Sequence, residues 1–230
     1  MSSMSEPHVA IVDYGMGNLF SVRRACEQVG LPAVITSSGG DLVSAAGVIV
    51  PGVGAFGRAM DALRARGFVE GLREAASSGK PVLGICLGMQ LLMSESHEFG
   101  RHQGLGILEG QVVRLQESSG GGLTLKVPQV GWNRLFRPAP GSWEGSCLKG
   151  LTDGEFMYFV HSFYVKPVET RLVLSTTRYG PIEFCSTLQD RNVMGCQFHP
   201  ERSGPAGLRI YQNLAMAVRR VVCPPSGGTR

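Results

Sequence analysis

Pro81-Val82-Leu83-Gly84-Ile85-Cys86-Leu87-Gly88-Met89-Gln90 is the stretch from which the fold is read. Pro81–Ile85 is near-continuously apolar, without the alternation of a half-exposed strand, as expected of a strand covered on both faces. Helical spacing over Leu87–Met93 follows at once, so strand passes into helix at Cys86. Gly84 and Gly88 lie two residues to either side of the cysteine. A turn this tight leaves no room for Cβ atoms at the flanking positions, and the pattern predicts a nucleophile elbow with cysteine in place of serine. The helix N-terminus would favour thiolate, and the Leu87 N–H would face a developing oxyanion. The same pattern also suits a buried cysteine whose glycines serve helix–strand packing. A base decides between the two.

Outward from this elbow the first half alternates strand and helix. His8–Asp13 reads as a strand entering the loop Tyr14-Gly15-Met16-Gly17-Asn18. Leu19, Val22, Cys26 and Val29 then share a helix face that Gly30 closes. Ala33–Thr36 and Gly47–Val50 are further strands, and two helical pieces carry Phe56, Met60 and Leu63, then Phe68 and Leu72. Crossovers of this length predict an α/β fold with a doubly wound, mostly parallel sheet. From about Leu105 strand-like segments follow one another: Val112–Leu115, Leu123–Val127, Phe156–Tyr164, Leu172–Thr177, Ile182–Leu188 and Val193–Phe198. They predict an antiparallel extension of the same sheet. A last helix carries Ile210, Leu214, Ala217 and Val221. No linker or repeat divides the chain, so one domain over residues 1–230 is expected, with disordered tails at 1–7 and 223–230.

The net charge of +4 is scattered, and Arg219-Arg220 is too short a run for a nucleic-acid patch. No apolar run approaches the roughly 20 residues of a membrane span, and the N-terminus lacks a secretory pattern. The six cysteines show no paired spacing and read as reduced thiols of a cytoplasmic protein.

Five histidines could supply the base. His8, His97 and His102 fall at a strand start or in polar loops, leaving His161 and His199. In Gln197-Phe198-His199-Pro200-Glu201, strand alternation puts Gln197 and His199 on one face, and extended backbone would bring Glu201 to the same side. Its carboxylate could fix the imidazole tautomer and stabilise the imidazolium. A turn with a surface carboxylate is the bland reading of His-Pro-Glu alone. A metal site at Cys196 and His199 fits poorly, because the two face opposite ways and no second ligand pair is spaced to complete it. No cofactor is expected. Gly52-Val53-Gly54-Ala55-Phe56-Gly57 matches a dinucleotide fingerprint in letters, but it follows the third strand and not the first. It reads better as a loop beside the elbow, offering a second oxyanion N–H from Val53 or Gly54. A tight βα turn without chemistry is the alternative.

These residues resemble the class I (triad) glutamine amidotransferases, and within them the glutaminase subunits of imidazole glycerol phosphate synthases, which serve histidine biosynthesis. The elbow and His-Pro-Glu mark the superfamily. Asp13–Leu19, Pro51–Phe56, Gly84–Leu92, Gly131-Trp132-Asn133 and Tyr158–Ser162 match the narrower group across nearly the whole chain. The resemblance implies that Cys86 attacks the glutamine amide, that His199 moves the proton with Glu201 behind it, and that water resolves the thioester. It implies substrate contacts at Gly52, Gln90, Glu98, His161 and Ser162. It also implies a heterodimer with a (β/α)8-barrel synthase that takes the ammonia, docked near Asn18, Trp132, Asn133 and Tyr158. Gln129, where a histidine is expected, and Phe163, where a tyrosine is expected, depart from the group's pattern. A catalytically silent subunit and a stand-alone γ-glutamyl hydrolase or cysteine peptidase are the competing readings.

Overall fold

The structure is a computed structural model that describes residues 7–116, 125–139 and 141–223. Most of both expected tails and the first part of the expected strand at 123–127 lie outside the described residues. Residues 125–127 do not form a strand.

Chain order is β1 (Val9–Val12), α1 (Leu19–Gln28), β2 (Ala33–Thr36), β3 (Gly47–Gly52), α2 (Phe56–Ala65), α3 (Phe68–Ser77), β4 (Val82–Cys86) and α4 (Leu87–Leu91). There follow β5 (Glu95–Ser96), β6 (His102–Gln103), β7 (Gly110–Arg114), β8 (Gln129–Arg134), β9 (Phe156–His161) and β10 (Phe163–Pro167). β11 (Val173–Tyr179), β12 (Ile182–Asp190), β13 (Val193–Cys196) and α5 (Gly204–Val222) complete it.

The main sheet runs β11-β12-β13-β4-β3-β1-β2. From β13 to β2 every neighbouring pair is parallel, and β12 and β11 extend it antiparallel. Strand alternation splits the apolar side chains between two layers. Ala10, Val12, Val48, Val50 and Val82 pack with Phe56, Met60, Leu63, Phe68 and Leu72 of α2 and α3. Val9, Ile11, Ile49, Leu83 and Ile85 pack with Val22 and Cys26 of α1 and Ile210, Leu214 and Val218 of α5 on the other side. Burial on both faces is why these strands read as unbroken apolar runs.

The second half departs from the simple extension. Only β11, β12 and β13 join the main sheet; β10-β7-β5-β6 and β8-β9 form separate sheets. The run expected as one strand over Phe156–Tyr164 breaks at Ser162, whose carbonyl accepts from Leu115 N–H beyond β7 at 2.8 Å. β9 pairs with β8, and β10 pairs with β7. β8 has no simple alternation of apolar residues, because Gly131 and Asn133 occupy its inward positions. The ends of β3, β4 and β13 converge with the β8–β9 ribbon, and open parallel sheets bind ligands at such carboxyl ends.

Candidate active site

Cys86 ends β4 with φ +53° and ψ −108°. A non-glycine residue in that region costs about 1–3 kcal/mol and persists only where its surroundings impose it. They do so here. A Cβ on Gly84 would come within 2.8 Å of the Gly88 backbone, and one on Gly88 would strike the Val50 carbonyl of β3. The elbow is therefore packed against the neighbouring strand. Helix α4 is only Leu87–Leu91, shorter than the expected Leu87–Met93. With so few aligned peptides, the local N–H groups contribute more to an anion at Cys86 than a long-range dipole does.

His199 follows β13, whose Cys196 is in register with Ile85 of β4. Parallel pairing thus carries the histidine up beside the thiol. Its N–H donates to Tyr158 O at 2.9 Å, and its own carbonyl accepts from Ser203 Oγ at 2.7 Å. Nδ1 lies 2.8 Å from Glu201 Oε1. The backbone between them is not extended, as expected, but a short 3-10 turn over Pro200–Arg202. That turn folds the carboxylate back onto the ring. Nε2 has no partner of standard hydrogen-bond geometry among the described residues, and the sulfur acts on it across a looser contact. Burial works against a charge on this ring, but Cys86 and Glu201 on either side outweigh it and push its pKa up to about 10. At neutral pH the ring is an imidazolium facing sulfur.

Gln197, two residues before His199, donates from Nε2 to Cys86 Sγ at 3.6 Å. Its orientation is dictated by a relay. Gln90 Nε2 donates to Phe163 O at 2.9 Å and to Gln197 Oε1 at 3.2 Å, so the Gln197 amide turns its N–H toward sulfur. Alternation along the strand had placed Gln197 on the side of His199, but its contact with sulfur was not foreseen. The three-dimensional approach of α4 to β13 supplies it.

A cavity of about 300 Å³ opens on the thiol, of a size for a small ligand. Val53, Gly54, Leu87, Gln90, Glu98, His161 and Ser162 line it with Cys86, joined by the unforeseen Phe99, Pro128, Val160 and Phe163. Glu98 is buried, and one of its oxygens accepts from Phe56 N–H, capping α2 where Ala55 offers no side-chain acceptor. Gly52 does not line the cavity. It is in register with Cys86, and a Cβ there would strike the Tyr14 hydroxyl. Tyr14 in turn donates to Pro51 O at 2.8 Å and anchors the base of the loop that carries Val53 and Gly54. His161 is buried to 5% exposure, and desolvation lowers its pKa to about 4 despite a hydrogen bond to Phe163 O. It is neutral where His199 is charged.

Of the four residues expected at a partner interface, Trp132 and Asn133 leave β8 on opposite faces. Trp132 and Tyr158 are in register on the β8–β9 ribbon with rings 6.0 Å apart, and Trp132 is 57% exposed. Asn133 points to the opposite face and donates to Arg178 O at 2.9 Å, holding the ribbon to the edge of the main sheet. Asn18 caps α1 by accepting from Ser21 N–H. Among the described residues no group of three or more His, Cys, Asp or Glu side chains could hold a metal ion, and no helix is long and apolar enough to cross a membrane.

The family model of glutamine amidotransferase class-I matches residues 10–218. The chain is 46% identical over 211 residues to the imidazole glycerol phosphate synthase subunit HisH of Moorella thermoacetica, covering 92% of this chain and 95% of that one. It is 48% identical over 212 residues to the HisH subunit of Syntrophotalea carbinolica, covering 90% and 98%. A crystal structure of a glutamine amidotransferase superposes with a TM-score of 0.65 at 21% identity, over 90% of this chain and 98% of that one, which speaks to the fold. The chain belongs to the class-I glutamine amidotransferases and, within them, groups with the HisH subunits of imidazole glycerol phosphate synthase.

Proposed function

We propose that this chain hydrolyses glutamine to glutamate and ammonia through Cys86, His199 and Glu201, and hands the ammonia to a (β/α)8-barrel synthase subunit that makes imidazole glycerol phosphate. The observation that carries this reading is the strained elbow thiol beside an imidazole already tied to Glu201 at 2.8 Å. The thiolate attacks the side-chain carbonyl carbon of glutamine. The oxyanion forms against N–H groups of Leu87 and of the Val53–Gly54 loop. His199 donates its proton to the departing nitrogen as the C–N bond breaks, and ammonia leaves. Neutral His199 then takes a proton from water, whose oxygen attacks the thioester and releases glutamate, and the thiolate–imidazolium pair returns.

Gln197 stabilises the thiolate between turnovers. Gln90, Glu98, His161 and Ser162 surround the substrate, with the Glu98 carboxylate matched to its ammonium group. Gly52 supports the oxyanion loop from beneath and does not contact substrate. Trp132 and Tyr158 form the docking patch, whereas Asn133 holds the ribbon that presents them. The setting is the cytoplasm and the chain acts as one domain.

Glutamate release from glutamine, measured with the synthase and its ligand present, tests this. Cys86→Ala is expected to lose activity by about four orders of magnitude or more. Activity that survives the substitution overturns the assignment of Cys86. Absence of activity in every partner context favours a silent subunit, and robust turnover of peptides by the isolated chain favours a free-standing hydrolase.

A further inference from the structure

Two buried polar atoms beside the cavity have no role in the triad. His161 Nε2 and Gln129 Oε1 are shielded from solvent, and neither has a hydrogen-bond partner among the described residues. An unmatched buried polar atom costs about 1–3 kcal/mol, so a pair of them calls for a ligand. They belong to facing residues. Gln129 stands directly across the β8–β9 ladder from His161. Opposed residues of an antiparallel pair leave the ribbon on the same face, with Cβ atoms about 4.5–5.5 Å apart. His161 lines the cavity with Cys86, as does Pro128, the residue before Gln129.

The hydrogen bonding defines what these atoms offer. His161 Nδ1 lies 2.9 Å from Phe163 O, and a carbonyl only accepts, so Nδ1 carries the hydrogen. Nε2 therefore presents a lone pair, and Gln129 Oε1 presents another. The ring is neutral, since burial lowers its pKa to about 4. Two unpartnered acceptor atoms suit a small neutral molecule bearing at least two N–H or O–H groups.

We propose that Gln129 and His161 form an acceptor pair that receives the nascent ammonia after it leaves the glutamyl group. This rests on the glutaminase reading above. Ammonia offers three N–H donors and is released into this cavity at every turnover. His161 lies close enough to His199, the acid that protonates the departing nitrogen, to feel its charge. Neither acceptor atom has a proton to give, and each takes up an N–H of the ammonia, leaving its lone pair uninvolved in the contact.

The test uses the assembled complex with the synthase subunit. The readout is the ratio of ammonia captured in product to glutamate released, which does not depend on how fast glutamate forms. Gln129→Met keeps the length and removes the acceptor. The captured fraction is expected to fall roughly two- to tenfold, as for the loss of one hydrogen bond. Gln129→His, which can restore an acceptor nitrogen, is expected to recover it. Co-elution with the synthase and product formation from added ammonium show that each variant is folded and assembled. An unchanged ratio in Gln129→Met, or a fall that Gln129→His does not reverse, overturns the acceptor pair. Failure of the unsubstituted complex to release glutamate would instead overturn the glutaminase reading.

Discussion

His199 and His161 are equally buried, at 5% exposure each, and His161 feels the charge of His199, yet their pKa values move in opposite directions. His199 follows β13 in the main sheet, between a thiol and a carboxylate, and is held as an imidazolium near neutrality. His161 ends β9 in the two-stranded ribbon, where its ring meets Phe159 and Phe184 and a single carbonyl. Desolvation alone pushes any buried histidine toward neutrality, and one backbone acceptor does not reverse that. The sulfur and the carboxylate on either side of His199 do. The comparison teaches that burial sets the stakes at this site and partners set the sign: one ring becomes an acid and the other an acceptor.

The largest expected effect separates the two rings directly. His199→Asn should lower the rate of glutamate release in the complex by about three to four orders of magnitude, whereas His161→Asn should lower it by about tenfold or less. Equal losses would erase the distinction. Next in size, Glu201→Gln should cost about two to four orders of magnitude in the same assay, because the amide no longer stabilises the imidazolium and turns the wrong group to Nδ1. A loss of only a few-fold would mean that the carboxylate is not what holds the charge on His199. Smaller again, Gln197→Met should cost roughly ten- to hundredfold, the worth of one hydrogen bond to a charged group. Its signature is slower alkylation of Cys86 by iodoacetamide at a fixed neutral pH.

The smallest effect is on stability, and its sign differs for the two rings. The raised pKa of His199 stabilises the fold fully below about 6.5, the unfolded value, and this contribution is lost as pH rises toward about 10. The lowered pKa of His161 favours the fold above about 6.5, and that contribution is lost as pH falls toward about 4. Denaturant midpoints followed across pH should therefore decline on both sides. His199→Asn should flatten the alkaline limb and His161→Asn the acid limb. A variant that flattens the opposite limb would contradict the assignment.

The parallel core was legible because strands buried on both faces advertise themselves: β1, β3 and β4 appear as unbroken apolar runs. The elbow was legible because tight backbone approach demands glycine at Gly84 and Gly88. The grouping of Glu201 with His199 was anticipated through an extended backbone, but a 3-10 turn achieves it. The second half was harder. β8 hides behind Gly131 and Asn133, and the break at Ser162 follows from a hydrogen bond to Leu115 N–H that no local pattern predicts. Asn133 illustrates the same limit, since its neighbour in sequence faces solvent while its own side chain holds Arg178 O across two sheets.

What the sequence determined by itself was local: which runs are strands, where the chain must turn tightly, and which residue types could act as nucleophile, acid and orienter. These follow from periodicity and backbone sterics over a few residues. Tertiary structure decided what depends on segments meeting from far apart in the chain. The register of β13 on β4 brings His199 to Cys86. The approach of α4 to β13 aims Gln197 at sulfur, and the pairing of β8 with β9 sets Gln129 opposite His161. The charge on each histidine belongs to that second class, because electrostatic shifts depend on distance in space and on exclusion of water, and neither is written in the order of residues.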